Sequence, residues 1–291
     1  MTHPVVRSAL FVPASRAERI PKALAAGADT VIVDLEDAVE HLAKASARES
    51  LCDFLGTHGE ARLWVRINDA STSWHDDDLK ACRGKRGVTG ILLPKAESLA
   101  QVRHVAQTGL PVIPILETAA GLLNAAEIAS TPGVSRLAFG SLDYGLDMGL
   151  TPDTPGAETV LDHARVQVLL HTRAAGLAPA LDGVFPGVHD QAGLAAAAGR
   201  AQQMGFGGML CIHPTQVAVI HAAFVPARQE LEWARRVIAA HRETAAGTFM
   251  LEGKMVDAPV IARARLVLAQ AGESANTPDA LVKTPGKPVN S

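Results

Sequence analysis

Short apolar runs alternate with longer stretches of helical periodicity along most of the chain. The runs fall at residues 8–12 (SALFV), 30–35 (TVIVDL), 62–67 (RLWVRI), 90–93 (GILL), 111–116 (PVIPIL), 135–139 (SRLAF), 178–181 and 208–212 (GMLCI). Between and after them the pattern predicts helices over 16–26, 44–55, 98–107, about 122–129, 160–175, 193–204 and 226–241, with Gly27 a C-cap for the first. The runs are continuously apolar rather than alternating, as expected for strands covered on both faces of a parallel sheet. Eight such runs separated by helices favour an α/β fold of the closed (β/α)8 kind, a TIM barrel, over an open doubly wound sheet. The G-x-G-x-x-G fingerprint of a dinucleotide fold does not follow the first run.

Past the last barrel helix the pattern changes. Residues 242–256 read as a linker or short hairpin, and 257–271 as a helical extension. Asp257 is a fair N-cap there, and Val260, Ala264, Val267, Leu268 and Ala271 share one face. The expected organisation is a barrel domain over 1–241, a C-terminal extension or lid over 242–271, and a segment of tail-like composition over 272–291.

Composition narrows the function classes. Of 291 residues, 48% are hydrophobic and 20% charged, enough for a sizeable core. The 27 basic and 30 acidic residues leave a net charge of -3, so there is no basic excess to displace counterions from a nucleic-acid backbone, and nucleic acid is not an expected partner. Aromatics at 4% also argue against a base-stacking surface. No apolar run approaches the roughly 20 residues that cross a bilayer, so no membrane association is expected. The start, MTHPVVRSALFVP, lacks the apolar core and cleavage site of a secretory signal. Cys52, Cys82 and Cys211 are odd in number and far apart, which suits buried thiols in a reducing cytoplasm.

Barrel chemistry sits at the C-terminal ends of the strands. The second run ends in Asp34, Glu36 and Asp37, the third in Arg66 and Asn68, the fourth in Lys95 and the fifth in Glu117. Asp143, Asp182 and His213 follow the last three. Arg66 and Glu117 directly end apolar runs, where an unpartnered charge is expensive. Glu117 and Asp143, at neighbouring strand ends and without soft ligands nearby, suit a hard oxygen-seeking ion such as Mg2+. Glu36 and Asp37 are candidates to hold its waters. The competing reading pairs these acids with Arg66 and Lys95 and binds nothing. After Glu117 the small residues Ala119 and Ala120 open a helix whose free amides suit a substrate carboxylate, or simply start a helix capped by Thr118. The run His75-Asp76-Asp77-Asp78 resembles a ligand cluster but reads better as the acidic first turn of a solvated helix. His213 reads as a packed or hydrogen-bonded histidine rather than a base.

The segments SALFVPASRAERIPKALAAGADTVIVDLEDAV, LWVRIN, GILLPKAES, PILETAAGLLNAAEIA, LAFGSLDYGLDMG, LDGV, GFGGMLCIHPTQV and GKMVDAPVIARARLVL together resemble the citrate lyase β-subunit-like family, within the HpcH/HpaI aldolase superfamily. The resemblance runs from about residue 7 to 271. It implies a barrel with a C-terminal extension, assembled as trimers or hexamers, and Mg2+-dependent cleavage or formation of a C–C bond next to a thioester. The substrates it implies are malyl-, citramalyl- or citryl-type 3-hydroxyacyl-CoA compounds, giving a 2-oxo acid and an acyl-CoA. Glu117 and Asp143 match the metal ligands, and Arg66 the arginine on the substrate oxygens. Ala119 and Ala120 match the carboxylate-binding turn, and Phe11 and Lys22 fall where coenzyme A is gripped. Asp257 matches an acid/base delivered to a neighbouring subunit. Two departures stand out: relatives often read F-G-A-E-D where this chain has Leu142 before Asp143, and the segment FPGVHD is unusual. The alternatives carried forward are a class II aldolase for free pyruvate adducts, without coenzyme A, and a catalytically silent barrel subunit.

Overall fold

In the computed structural model, residues 5–244 and 247–273 are described. Eight parallel strands close a barrel in chain order: β1 (Ser8–Pro13), β2 (Thr30–Asp34), β3 (Leu63–Arg66), β4 (Val88–Leu93), β5 (Val112–Leu116), β6 (Ala138–Phe139), β7 (Leu181–Asp182) and β8 (Gly208–Cys211). β8 pairs back onto β1 through Ala9 opposite Leu210, which completes the ring. The predicted runs and the strands agree closely except at β6 and β7. There only the last residues of the run pair, and the rest enters as irregular backbone.

Each strand splits its side chains between two cores with a period of two. Ala9, Ile32, Leu92, Ile113, Ile115, Ala138, Leu181 and Leu210 fill the barrel interior, joined by Phe11 and Trp64. Their neighbours Leu10, Val12, Val31, Val33, Leu63, Val65, Ile91, Leu93, Val112 and Leu116 face the helices. Both faces are buried, which is why the strands read as unbroken apolar runs. Trp64 occupies the interior so fully that a Cβ on Gly90 would enter its ring.

After β1 comes a 3-10 turn (Ala14–Arg19) and then α1 (Ile20–Leu24). The pattern predicts one continuous helix here, but Arg16 has non-helical φ and ψ and breaks it. The outer ring continues with α2 (Lys44–Thr57), α3 (His75–Cys82), α4 (Leu99–Ala106), the short pair α5 (Ala119–Leu123) and α6 (Ala125–Ala129), α7 (Ser141–Asp147), α8 (Pro155–Ala174), α9 (Gln191–Met204) and α10 (Pro214–Ala223). Their starts follow capping chemistry. Ser98 and Gln101 form a reciprocal capping box on α4, and Thr154 with Pro155 opens α8. The side chain of His213 caps α10, which accounts for that residue at the end of β8. α7 and α10 have no counterpart in the predicted helices.

The chain divides into two compact units after Phe224. The second unit holds α11 (Arg228–Thr244), the hairpin of β9 (Phe249–Leu251) and β10 (Lys254–Val256), and α12 (Ala258–Gln270). Its core is Ala234, Val237, Ile238, Val256, Ile261, Ala264, Val267 and Leu268. The helix expected to close the barrel domain thus packs on α12 in the second unit. Most of the tail-like segment, from 274 on, and residues 245 and 246 of the linker lie outside the described residues. Among the described residues no helix is long and apolar enough to cross a membrane.

Candidate active site at the barrel mouth

The interior register of three strands delivers the charged residues. Asp34 continues the Ile32 position on β2, Arg66 the Trp64 position on β3, and Glu117 the Ile115 position of β5. Period two therefore turns all three toward the mouth. They share a cavity of about 340 Å³ with Asp37, Gly140, Leu142 and Asp143, floored by Phe11, Ile115 and Leu210.

Arg66 is the most heavily anchored group. Its Nε and Nη2 donate to the two oxygens of Asp34 at 2.7 and 2.6 Å, and Nη1 donates to Asp37 at 3.2 Å. Its guanidinium carbon lies 4.7 Å from the Phe11 ring centroid, a cation–π arrangement. Burial is the largest influence and works against the charge, but Asp34, Glu36 and Asp37 together outweigh it, and the guanidinium pKa is raised. With three of five N–H groups engaged, one on each Nη makes no hydrogen bond of good geometry. Asp34 is itself buried and also accepts from the amides of Glu36 and Ala38, so it is fixed before it fixes Arg66.

Glu36 sits between cations. Lys95 Nζ donates to its Oε1 at 2.5 Å, and Arg66 Nη1 lies 3.0 Å from Oε2, although Oε2 receives no hydrogen bond of good geometry. Burial pushes the Glu36 carboxyl up to about 7, against the pull of Arg66 and Lys95. Lys44 Nζ secures the loop that carries it by donating to the carbonyls of Leu35 and Glu36. Glu36 and Asp37 are thus brought to Arg66, as the ion-pair alternative in the sequence anticipates.

Glu117 and Asp143 face the same cavity. Glu117 is 3% exposed, and its Oε1 accepts from the Lys95 amide at 2.7 Å. Burial pushes its carboxyl up to about 8; the Lys95 amide opposes this, and the neighbouring charge of Asp143 adds to it. A buried acid facing a half-buried one, in an all-oxygen donor set, is the arrangement a hard divalent cation neutralises. The approach is close: a Cβ on Gly140 would run into Glu117 Oε2. Gly140→Ala is therefore expected to cost about a hundredfold in kcat/KM by displacing the carboxylate. Steady-state kinetics check this, and unchanged turnover would show that the carboxylate can shift harmlessly.

The remaining expected residues fall as follows. Ala119 starts α5, but its amide donates to Asp147 Oδ2 at 2.7 Å, so an acid of the chain itself holds that position. Ala120 is the next residue of the same turn. Phe11 lies under Arg66, while Lys22 is exposed on α1 and does not line the cavity. Asp257 caps α12, its Oδ1 accepting from the Val260 amide at 3.2 Å. Asp182 is spent on Arg165, with oxygens 3.2 and 3.1 Å from Nε. That pair lines a larger adjoining cavity of about 650 Å³, whose other arginine, Arg200, is paired with Glu158 and Asp162. The smaller cavity, with its facing acids, is the better chemical site. The solvated-turn expectation for 75–78 fails for two residues: His75 and Asp78 are buried, and Asp78 holds Arg48 and Asn68. The roles of Asp34 and Asp147 were not singled out in the sequence, although period two already turns Asp34 inward.

Comparison with known proteins supplies the remaining context. The family described as HpcH/HpaI aldolase/citrate lyase matches residues 7–214. A citrate lyase subunit beta-like protein of Mycobacterium tuberculosis is 41% identical over 268 residues, covering 91% of this chain and 95% of the relative. A (3S)-malyl-CoA thioesterase of Cereibacter sphaeroides is 37% identical, with 92% and 95% covered. The crystal structure of the protein CitE from Mycobacterium tuberculosis in complex with magnesium, acetoacetate and coenzyme A superposes with a TM-score of 0.81 at 40% identity, covering 92% of this chain and 99% of that one.

Proposed function

The chain belongs to the HpcH/HpaI aldolase/citrate lyase family, and from that premise we propose that it is a Mg2+-dependent carbon–carbon lyase acting on a 3-hydroxyacyl-CoA thioester. The observation that carries this reading is the buried Glu117 facing Asp143 across a cavity that also holds Arg66. An oxygen donor pair with room for substrate oxygens fits Mg2+, which takes one or two carboxylates and fills its other positions from water and ligand. Relatives with magnesium, a 2-oxo or 3-oxo acid, and coenzyme A support the same reading.

Glu117 and Asp143 would hold Mg2+, which would supply Lewis-acid polarisation of substrate oxygens. Arg66 directs its two remaining N–H groups at oxygen charge as it develops, the electrostatic contribution that dominates many active sites. The Ala119 and Ala120 turn receives the substrate carboxylate when Asp147 moves aside. Asp257 accepts the hydroxyl proton as general base. Its Oδ1 already caps α12, which leaves Oδ2 for the proton. In this proposal Asp257 acts in the site of a neighbouring copy of the chain.

The test is a Mg2+-dependent assay across malyl-, citramalyl- and citryl-CoA that follows both products. The expected result is release of a 2-oxo acid and an acyl-CoA, abolished by chelation. Release of free coenzyme A with an intact hydroxy acid would make the chain a thioester hydrolase, as the name of the Cereibacter relative suggests. Cleavage of free 4-hydroxy-2-oxo acids without coenzyme A would make it an aldolase, and no turnover or ligand binding a silent barrel. Asp257→Ala and Glu117→Gln are each expected to be severely impaired alone, with activity returning on mixing. Full turnover by Asp257→Ala would remove it from the mechanism.

A further inference from the structure

A second cluster of ligand atoms lies on the outer ring of the barrel domain. His75 and Asp76 open α3, and His104 sits in the last turn of α4. One ligand atom from each falls within 4.8 Å of the others. None of the three lines the mouth cavity.

His75 gives this cluster its direction. It is 5% exposed, yet its Nε2 has no hydrogen-bond partner. Its Nδ1 lies 2.9 Å from the carbonyl oxygen of Asn68. A carbonyl only accepts, so Nδ1 carries the proton and donates, and Nε2 keeps its lone pair. A buried imidazole with one nitrogen donating to a backbone carbonyl and the other left as a bare acceptor has the form of a metal-ligating histidine. Left empty, that lone pair is a desolvated acceptor without compensation.

The other two ligands are at the surface and adjustable. His104 Nε2 lies 2.8 Å from Asp76 Oδ1, with side-chain exposures of 50% and 69%. The rings of His75 and His104 are stacked at 5.7 Å. Two ligands on bonds of about 2.1 Å cannot stand more than about 4.2 Å apart, so closing on an ion asks for a shift of less than about an ångström. Exposed Asp76 and His104 can supply it by rotamer adjustment while His75 stays fixed. Two imidazoles and one carboxylate select a first-row transition ion over Mg2+ or Ca2+, and three protein ligands leave a fourth position for water.

We propose that His75, Asp76 and His104 form a divalent transition-metal site of the zinc type, pinning α3 to α4 outside the barrel mouth. Its test is calorimetric titration of the full-length protein with Zn2+ in excess Mg2+, which keeps the mouth's hard donors occupied. One Zn2+ per chain is expected, with a rise in Tm, and Co2+ in its place should give visible ligand-field bands. His104→Ala and Asp76→Ala, both at exposed positions, are each expected to weaken Zn2+ at least tenfold and to quench those bands. His75→Ala should do the same, and the two surface variants decide the matter if it fails to fold. Absence of saturable binding, or undiminished binding in both surface variants, would overturn the proposal. So would loss of the isotherm in Glu117→Gln, which would move the ion to the mouth.

Discussion

Glu117→Gln is expected to weaken Mg2+ binding at least a hundredfold and to lower kcat/KM about a thousandfold, or about 4 kcal/mol of transition-state stabilisation. Glutamine keeps the shape and can still accept from the Lys95 amide that holds Oε1, so the barrel wall need not move. What disappears is the charge that, in the proposed site, would neutralise a cation together with Asp143. Stability should change in the opposite sense. The folded-state carboxyl sits at about 8 against an ordinary 4.5, so the native protein holds this proton more tightly than the unfolded chain does. The stability this brings is complete below about 4.5 and is lost as the pH rises toward 8. Without metal, Glu117→Gln should therefore melt above the parent at pH 8, the gap closing toward pH 5. Added Mg2+ should reverse the order at pH 8, because it binds the parent alone. Calorimetry and thermal melts at the two pH values check both halves, and parental Mg2+ affinity in the variant would exclude Glu117 as a ligand.

Arg66→Lys is expected to lose a hundredfold to a thousandfold in kcat/KM, mostly through kcat, and roughly 2 kcal/mol of stability. The charge is conserved, so the loss isolates geometry. One ammonium cannot bridge both oxygens of Asp34, lie flat on Phe11 and still present two N–H groups to substrate. Asp34, 1% exposed, would keep its backbone donors but lose its fork. A denaturant melt separates the stability cost from the kinetic one. If kcat survives and only KM rises, Arg66 binds substrate without stabilising developing charge.

The barrel was legible because burial on both faces writes itself into a strand as continuous apolarity. That signal weakened where few residues pair: β6 and β7 contribute two residues each, and the earlier part of each run is irregular backbone. α7 went unseen because SLDYGLD carries two acids and a glycine with little apolar periodicity: Tyr144 alone is buried in the core, while Ser141, Leu142 and Asp143 line the cavity. At the site, Arg66 and Glu117 stood out as charges ending apolar runs. Whether Glu36 and Asp37 serve a metal or Arg66 was not readable, since both choices satisfy the same composition and only side-chain direction separates them. The 75–78 turn misled for a related reason: three consecutive acids look alike in sequence, but a helix turns each to a different face, one buried, one toward Lys80 and one toward His104.

If the α5 turn takes a substrate carboxylate as proposed, its contact with Asp147 decides which anions it admits. A visitor seeking that amide meets a tethered rival at high effective concentration. Monovalent anions, with one weak contact to offer, lose that contest. An acid that engages Arg66 and the cation in the same event does not, so the latch filters for ligands that grip several points at once.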